Sequence, residues 1–166
     1  MGVAGSGKTT VGTHLARSLQ LPFVDADALH SAGNVEKMRR GEPLTDADRE
    51  PWLAAVAHTL ADAQQFPRGV IVACSALKAD YRQRLRSASE DVIFLFLAVP
   101  AQLAARRVES RPAHFMPARL VPDQFAVLER PTPAERDVIE VDASRPLEDV
   151  VSRLTARLAG RGVRLR

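Results

Sequence analysis

The sequence predicts an α/β fold, a parallel sheet with helices on both faces. Three observations predict it. Residues Gly2-Val3-Ala4-Gly5-Ser6-Gly7-Lys8-Thr9 fit G-x-x-x-x-G-K-[ST] at every fixed position, the pattern of a loop that cradles phosphate and leads into a helix. Continuous apolar runs recur at Gly69–Cys74 and Val92–Val99, as in strands covered on both faces. Segments of helical period lie between them, and strands alternating with helices build βαβ units.

Each element follows in order. Val11, Leu15, Ala16 and Leu19 share one helical face directly after the loop, so the loop feeds a helix N-terminus, which favours anions. Leu21–Asp25 reads as a short strand ending on a carboxylate, and 27–41 as short helical pieces ending at Gly41. Thr45-Asp46-Ala47-Asp48 resembles a capping box that opens a helix through about residue 65. Gly69–Cys74 is a strand, 78–87 a helix with arginines outward, and Val92–Val99 a strand. Pro100 suits the first turn of the next helix, which runs to about Ser110. Residues 111–133 are rich in Pro and Arg, with a helical patch at Gln124–Leu128. Thr132-Pro133-Ala134-Glu135 is a second candidate capping box. Val138–Val141 is the last strand, 146–160 the last helix, and 161–166 a frayed tail.

The 166 residues fit one domain, 1–166, with a substantial core. A hydrophobic content of 46% with 26% charged residues is ordinary for a globular protein. No run of 18 apolar residues occurs, so no membrane span is expected. The loop occupies the N-terminal stretch, so no signal peptide is read there. Cys74 is the only cysteine, which excludes an internal disulfide and makes the cytoplasm the default compartment. Cys74 reads as a small buried residue rather than a nucleophile. Net charge is +3 with only 5% aromatic residues, which does not suit a base-stacking nucleic-acid surface. Only Lys8, Lys37 and Lys78 of the 23 basic residues are lysine. Against that bias towards arginine each surviving lysine invites a functional reading, because a flexible point charge is not replaced by a planar fork.

Residues Gly2, Val3, Ala4, Gly5, Ser6, Gly7, Lys8, Thr9 and Thr10 form the candidate ATP-binding loop. Lys8 is placed to reach the β- and γ-phosphates as a catalytic cation, and Thr9 offers a hydroxyl to Mg²⁺. Ligands of parallel α/β sheets bind beyond the carboxyl ends of the strands, which places Asp25 and Cys74-Ser75 on the same edge. Asp25 is placed to hold Mg²⁺, which keeps waters and takes one or two carboxylates. Asp27 suits the base that accepts a proton from an attacking hydroxyl. An N-cap role for Asp27 is an equal alternative.

Further residues make the pattern specific. Asp25 to His30 reads D-x-D-x-L-H, and Asn34 to Met38 reads N-x-x-K-M. Gly41 to Leu53 reads G-x-P-L-x-D-x-D-R-x-P-W-L, and Cys74 to Arg82 reads C-S-A-L-K-x-x-Y-R. His114-Phe115 follows, then Gln124 to Pro131 as Q-F-x-x-L-E-x-P. In this order and over nearly the whole length, the chain resembles the gluconokinases of the P-loop kinase superfamily. The resemblance implies a three-layer α/β/α sandwich with strand order 2-3-1-4-5 and a lid at about 111–133. It also implies ATP-dependent phosphorylation of D-gluconate at O6, with ATP and Mg²⁺ as cofactors. It leaves a homodimer open.

Gluconate is anionic and rich in hydroxyls, so its site wants cations and hydrogen-bonding side chains. Asp27, His30, Lys37, Arg49, Lys78, Arg82 and His114 are the candidates. Arg49 suits the carboxylate through its two-point fork; a surface ion pair with Asp46 or Glu50 is the rival reading. His30 as a packed histidine, and Lys78, Arg82 and Arg86 as a solvated basic stripe, also stay open. Trp52 reads as core or cleft wall. Arg107 and Arg111, one turn apart, are expected to cover the transferring phosphoryl group from the lid. Pro112-Ala113 stands where relatives often carry Gly before His-Phe, which stiffens the expected hinge.

Shikimate or nucleotide phosphorylation shares the same general parts and is the rival enzyme reading. A catalytically impaired nucleotide-binding protein is another. Only Met1, Gly2 and Val3 are available as a strand on the loop's leading side, whereas this fold places a strand there in mid-sheet. The expectation is therefore a start further upstream, and a chain that is markedly unstable or inactive as written.

Overall fold

The computed structural model describes residues 1–63, 69–89, 91–110 and 116–163. Helix α1 (Lys8–Leu19) begins at Gly7, whose φ of 92° is a left-handed cap, and buries Val11, Leu15 and Leu19. Strand β1 (Phe23–Asp25) leads into a 3₁₀ turn over Ala26–Leu29. Helix α2 (Ala32–Arg39) is capped by the Ser31 hydroxyl, and α3 (Asp46–Asp62) by the expected box, with Thr45 and Asp48 bonding each other's backbone N–H. Strand β2 (Ile71–Ala73), α4 (Ala79–Arg86), β3 (Phe94–Ala98) and α5 (Ala101–Glu109) follow. Then come a 3₁₀ turn over Ala118–Leu120, α6 (Val121–Val127), β4 (Val138–Asp142) and α7 (Leu147–Ala159).

All described pairing is parallel. β1 pairs with β2, Phe23 opposite Ile71, and β3 pairs with β4, Phe94 opposite Val138. The described strands thus form two two-stranded sheets rather than one continuous sheet. Between β2 and β3 lies an apolar slot of about 590 Å³. Residues at its end bridge the two sheets. Leu97 N–H donates to Met1 O (3.0 Å), Met1 N donates to Leu95 O, and Gly2 N–H donates to Ser75 O (3.1 Å).

Three apolar clusters hold the layers. Leu15, Ile139 and Leu154 join α1 and α7 to the β3–β4 pair. Trp52, Val56, Leu85 and Phe94 join α3 and α4 to the sheet. Each fully buried aliphatic side chain contributes about 1.5–3 kcal/mol. The third cluster places Val3 and Ala4 against Leu77, Ala104, Met116, Leu120 and Val121. Much of the expected lid is therefore packed: Met116, Leu120 and Val121 are 5%, 4% and 1% exposed.

Two local expectations are corrected. Thr132–Glu135 closes a turn, Glu135 N–H donating to Thr132 O at 3.0 Å, and opens no helix; three residues later the chain enters β4. The helical patch begins at Val121, ahead of Gln124, because Pro122 sits in the first helical turn, where its missing N–H costs nothing. Residues 164–166 of the expected tail lie outside the described residues, whereas Val163 N–H bonds back to Leu158 O at 3.2 Å.

Candidate active site

The loop between Met1 and α1 curls because its glycines allow it. Gly5 has φ 76°, and a Cβ there would overlap the Ala104 carbonyl of α5, so only glycine fits this close approach. Val3 O accepts from Ser6 N–H (3.2 Å) and from Lys8 Nζ (3.0 Å). The loop thus holds its lysine across its own mouth, on the dipole-positive end of α1.

Asp25 ends β1 beside this loop. Its Oδ2 accepts from Thr9 Oγ1 at 2.8 Å, and its Oδ1 accepts from Asp27 N–H at 3.1 Å. Asp25, and not Asp27, therefore caps the 3₁₀ turn. Asp27 lies within that turn and lines a cleft with Lys8, Thr9, His30, Arg49 and Trp52. Among the described residues no cluster of three His, Cys, Asp or Glu side chains could hold a metal ion by itself. The Thr9–Asp25 pair fits Mg²⁺ nonetheless, because one hydroxyl and one carboxylate suffice when phosphate and water supply the remaining oxygens.

His30 stacks on Trp52, with ring centroids 4.7 Å apart and planes 6° from parallel. Trp52 is fixed in turn by its Nε1–H, which donates to Ala26 O at 2.7 Å. His30 Nδ1 is buried without a hydrogen-bond partner among the described residues. Burial pushes the His30 pKa below its ordinary value of 6.5, against the opposing pull of Asp27. The ring is thus neutral at pH 7, with a polar atom available to a ligand. Arg49, half-buried on the first turns of α3, donates to Leu44 O. Its rival role as an ion pair is not seen. Asp46 binds Lys78 and Tyr81, and Glu50 binds Arg84.

Lys37, Lys78 and Arg82 are not among the residues that line this cleft. Lys37 Nζ pairs with Asp48 Oδ2 at 2.6 Å, fastening α2 to the start of α3 and holding the Asp48 carboxyl well below its usual range. Lys78 Nζ grips Asp46 at 2.7 and 2.8 Å, which raises the lysine pKa and lowers that of the aspartate. Arg82 is 1% exposed. Its Nε and Nη2 meet Glu135 at 2.7 Å, and Nη1 reaches Glu129 O at 3.0 Å. A buried guanidinium so occupied braces the 129–137 loop. Arg86 likewise bonds Asp137 and Glu135, so the basic face of α4 is paired inward rather than solvated. Burial raises the Cys74 thiol to about 11, which makes it an inert core residue.

Arg107 donates to Ala143 O at 3.0 Å and faces Gly5 O at 3.4 Å. It lines a second cleft of about 280 Å³ with Thr10 and Arg145, on the other side of the loop from Asp27. Arg111 and His114 lie outside the described residues. Sequence reasoning missed Gln124, whose Oε1 accepts from Ala4 N–H at 2.7 Å. It also missed Glu129, which caps α4 by accepting from Ala79 N–H at 2.6 Å. Both lie in the Q-F-x-x-L-E stretch, so the signal was present without a partner to give it meaning.

Comparison with known proteins shows the family. Residues 4–159 match the Shikimate kinase family. The chain is 44% identical to the Gluconokinase of Gluconobacter oxydans (strain 621H), over 93% of this chain and 86% of that protein. A sugar kinase from Janibacter sp. HTCC2649, solved unliganded, superposes with a TM-score of 0.89 at 42% identity, covering 96% of this chain and 91% of that one. A gluconokinase from Sinorhizobium meliloti 1021 superposes at 0.81 with 40% identity, covering 97% and 94%. The chain belongs to the shikimate kinase family of P-loop kinases, among its gluconokinases.

Proposed function

We propose that this chain transfers the γ-phosphoryl group of ATP to O6 of D-gluconate, giving ADP and 6-phospho-D-gluconate. One observation carries the reading: Lys8, Asp27, His30 and Arg49 line a single cleft at the mouth of the phosphate loop. Gluconokinase relatives of about 40% identity over most of the chain support the choice of acceptor.

The roles follow from the contacts. The backbone of Gly2–Thr10 surrounds the phosphates, and Lys8 exchanges Val3 O for a phosphate oxygen. Thr9 and Asp25 hold Mg²⁺, which when bound neutralises phosphate charge. Arg49 takes the gluconate carboxylate with its fork. Neutral His30 meets a sugar hydroxyl through Nδ1, its ring fixed by Trp52. Asp27 receives the proton of the 6-hydroxyl as that oxygen attacks in line. Arg107 and Arg145 flank the nucleoside end of ATP in the second cleft. The acceptor cleft is narrow, about 50 Å³, so its walls part to admit a six-carbon acid.

The test is a coupled assay of ADP release with D-gluconate beside shikimate and nucleoside monophosphates. Release that depends on gluconate alone supports the proposal. Release with shikimate and none with gluconate would overturn it.

A further inference from the structure

Ala4 sits inside the phosphate loop, 9% exposed. Its N–H donates to Gln124 Oε1 at 2.7 Å, across 120 residues of sequence. The Gln124 amide is orientated on its other side, where Nε2 faces Met116 Sδ at 3.2 Å. A thioether is only an acceptor, so the nitrogen turns to sulfur and the oxygen to Ala4. The carbonyl of the same peptide unit, Val3 O, accepts from Lys8 Nζ at 3.0 Å and Ser6 N–H at 3.2 Å. One buried peptide is thus gripped at both ends, and hydrogen bonds arranged in series strengthen one another.

This symmetry ends during the reaction proposed above, on which the inference rests. When Lys8 turns to phosphate, Val3 O loses its cationic partner, while Ala4 N–H keeps Gln124. We infer that Gln124 is a positioning residue, which locks the Val3–Ala4 peptide so that the phosphate-binding backbone holds its shape when Lys8 leaves. Gln124 acts through the loop. It also ties the loop to α6 and Met116.

Gln124→Met tests this, because it keeps the length of the side chain and removes the acceptor. Gln124→Leu repeats the test with a different shape. Val121→Ala is the matched control: Val121 packs in the same cluster as Ala4 and is 1% exposed, but takes no part in the bond. ATP dissociation constants are measured by calorimetry without acceptor, alongside melting temperature, kcat and the KM for gluconate. Loss of Ala4's partner is expected to raise the ATP dissociation constant about tenfold. It should lower kcat and leave the gluconate KM within about twofold. Val121→Ala should lower the melting temperature at least as much and leave ATP binding unchanged. Equal weakening of ATP binding in Val121→Ala and the Gln124 variants, or unchanged binding in the latter, would overturn the inference. The binding readout is independent of gluconate, so it stands apart from failure of the acceptor assignment, which appears as wild-type inactivity on gluconate.

Discussion

Thr9 Oγ1 donates a hydrogen bond to Asp25 Oδ2 at 2.8 Å, joining the first residues of α1 to the end of β1. The same carboxylate caps the following turn through Asp27 N–H, so its position is set from two sides before any ligand binds. Asp25→Asn keeps an acceptor for the cap and loses the charge. The Mg²⁺ concentration for half-maximal activity should rise by about 10–100-fold, as for other residues that hold a metal through its shell. A titration indistinguishable from wild type would remove Asp25 from the metal site.

Lys8→Met should lower kcat by about 10²–10³, the usual cost of losing one group that stabilises transition-state charge. Lys8 is half-buried at the loop mouth, where its Nζ donates to Val3 O at 3.0 Å, so the melting temperature should move little. A stable variant with near-normal kcat would contradict the phosphate role.

The turn is capped by Asp25, so Asp27→Asn does not remove a cap. Its effect should fall on the chemical step: kcat down by about 10²–10⁴, with ATP affinity nearly unchanged. Arg49→Lys separates from it. The two-point grip is lost, so the KM for gluconate rises while the ATP dissociation constant stays. Retained kcat in Asp27→Asn, or an unchanged KM in Arg49→Lys, would each refute the role assigned.

Arg49 and Arg82 show how far the site was legible in sequence. Both are arginines in the first turns of helices, and both stood as substrate cations. Their difference lies in Glu129 and Glu135, which arrive about fifty residues later to bury Arg82. No local pattern announces such a partner. The loop, Asp25 and the α3 capping box were readable because their chemistry is local, within a few residues. The burial of Met116, Leu120 and Val121 was not, because the Pro and Arg around them gave no apolar pattern to read.

Glu135 makes the acid stability of the protein testable. Its hydrogen bonds to Arg82, and then to Arg86, hold its pKa down to about 2 from an ordinary 4.5. A depressed carboxylate stabilises the fold fully above about pH 4.5, and that contribution disappears as pH falls through 2. Breaking this buried pair by Glu135→Gln should cost about 3–5 kcal/mol at pH 7, a drop in melting temperature on the order of 10 °C. The gap between variant and wild type should close between pH 4.5 and 2. A gap that does not change with pH would show that Glu135 acts by shape rather than charge.

The slot between β2 and β3 yields the last prediction. Its walls are apolar, with Leu15, Val72, Leu85, Phe94, Leu95 and Leu97 among the lining residues. Both neighbouring strands run parallel within their own pairs, and Met1 already begins a ladder with Leu95 and Leu97. An extended segment running into Met1 would continue that ladder and pair backbone groups on both flanks. Each such group left buried without a partner costs about 1–3 kcal/mol. We therefore propose that about six alternating Val and Ile residues placed ahead of Met1 occupy the slot, six being an ordinary strand length. Each side chain buried there contributes about 1.5–3 kcal/mol, against about 1–2 kcal/mol for ordering each residue. A net gain of a few kcal/mol should raise the melting temperature by roughly 5–10 °C, and kcat should rise as the loop gains a rigid support. An extension of equal length built from Ser and Glu is the control, since it cannot fill an apolar slot. If the two extensions melt alike, or the apolar one melts no higher than the 166-residue chain, the slot is not a strand site.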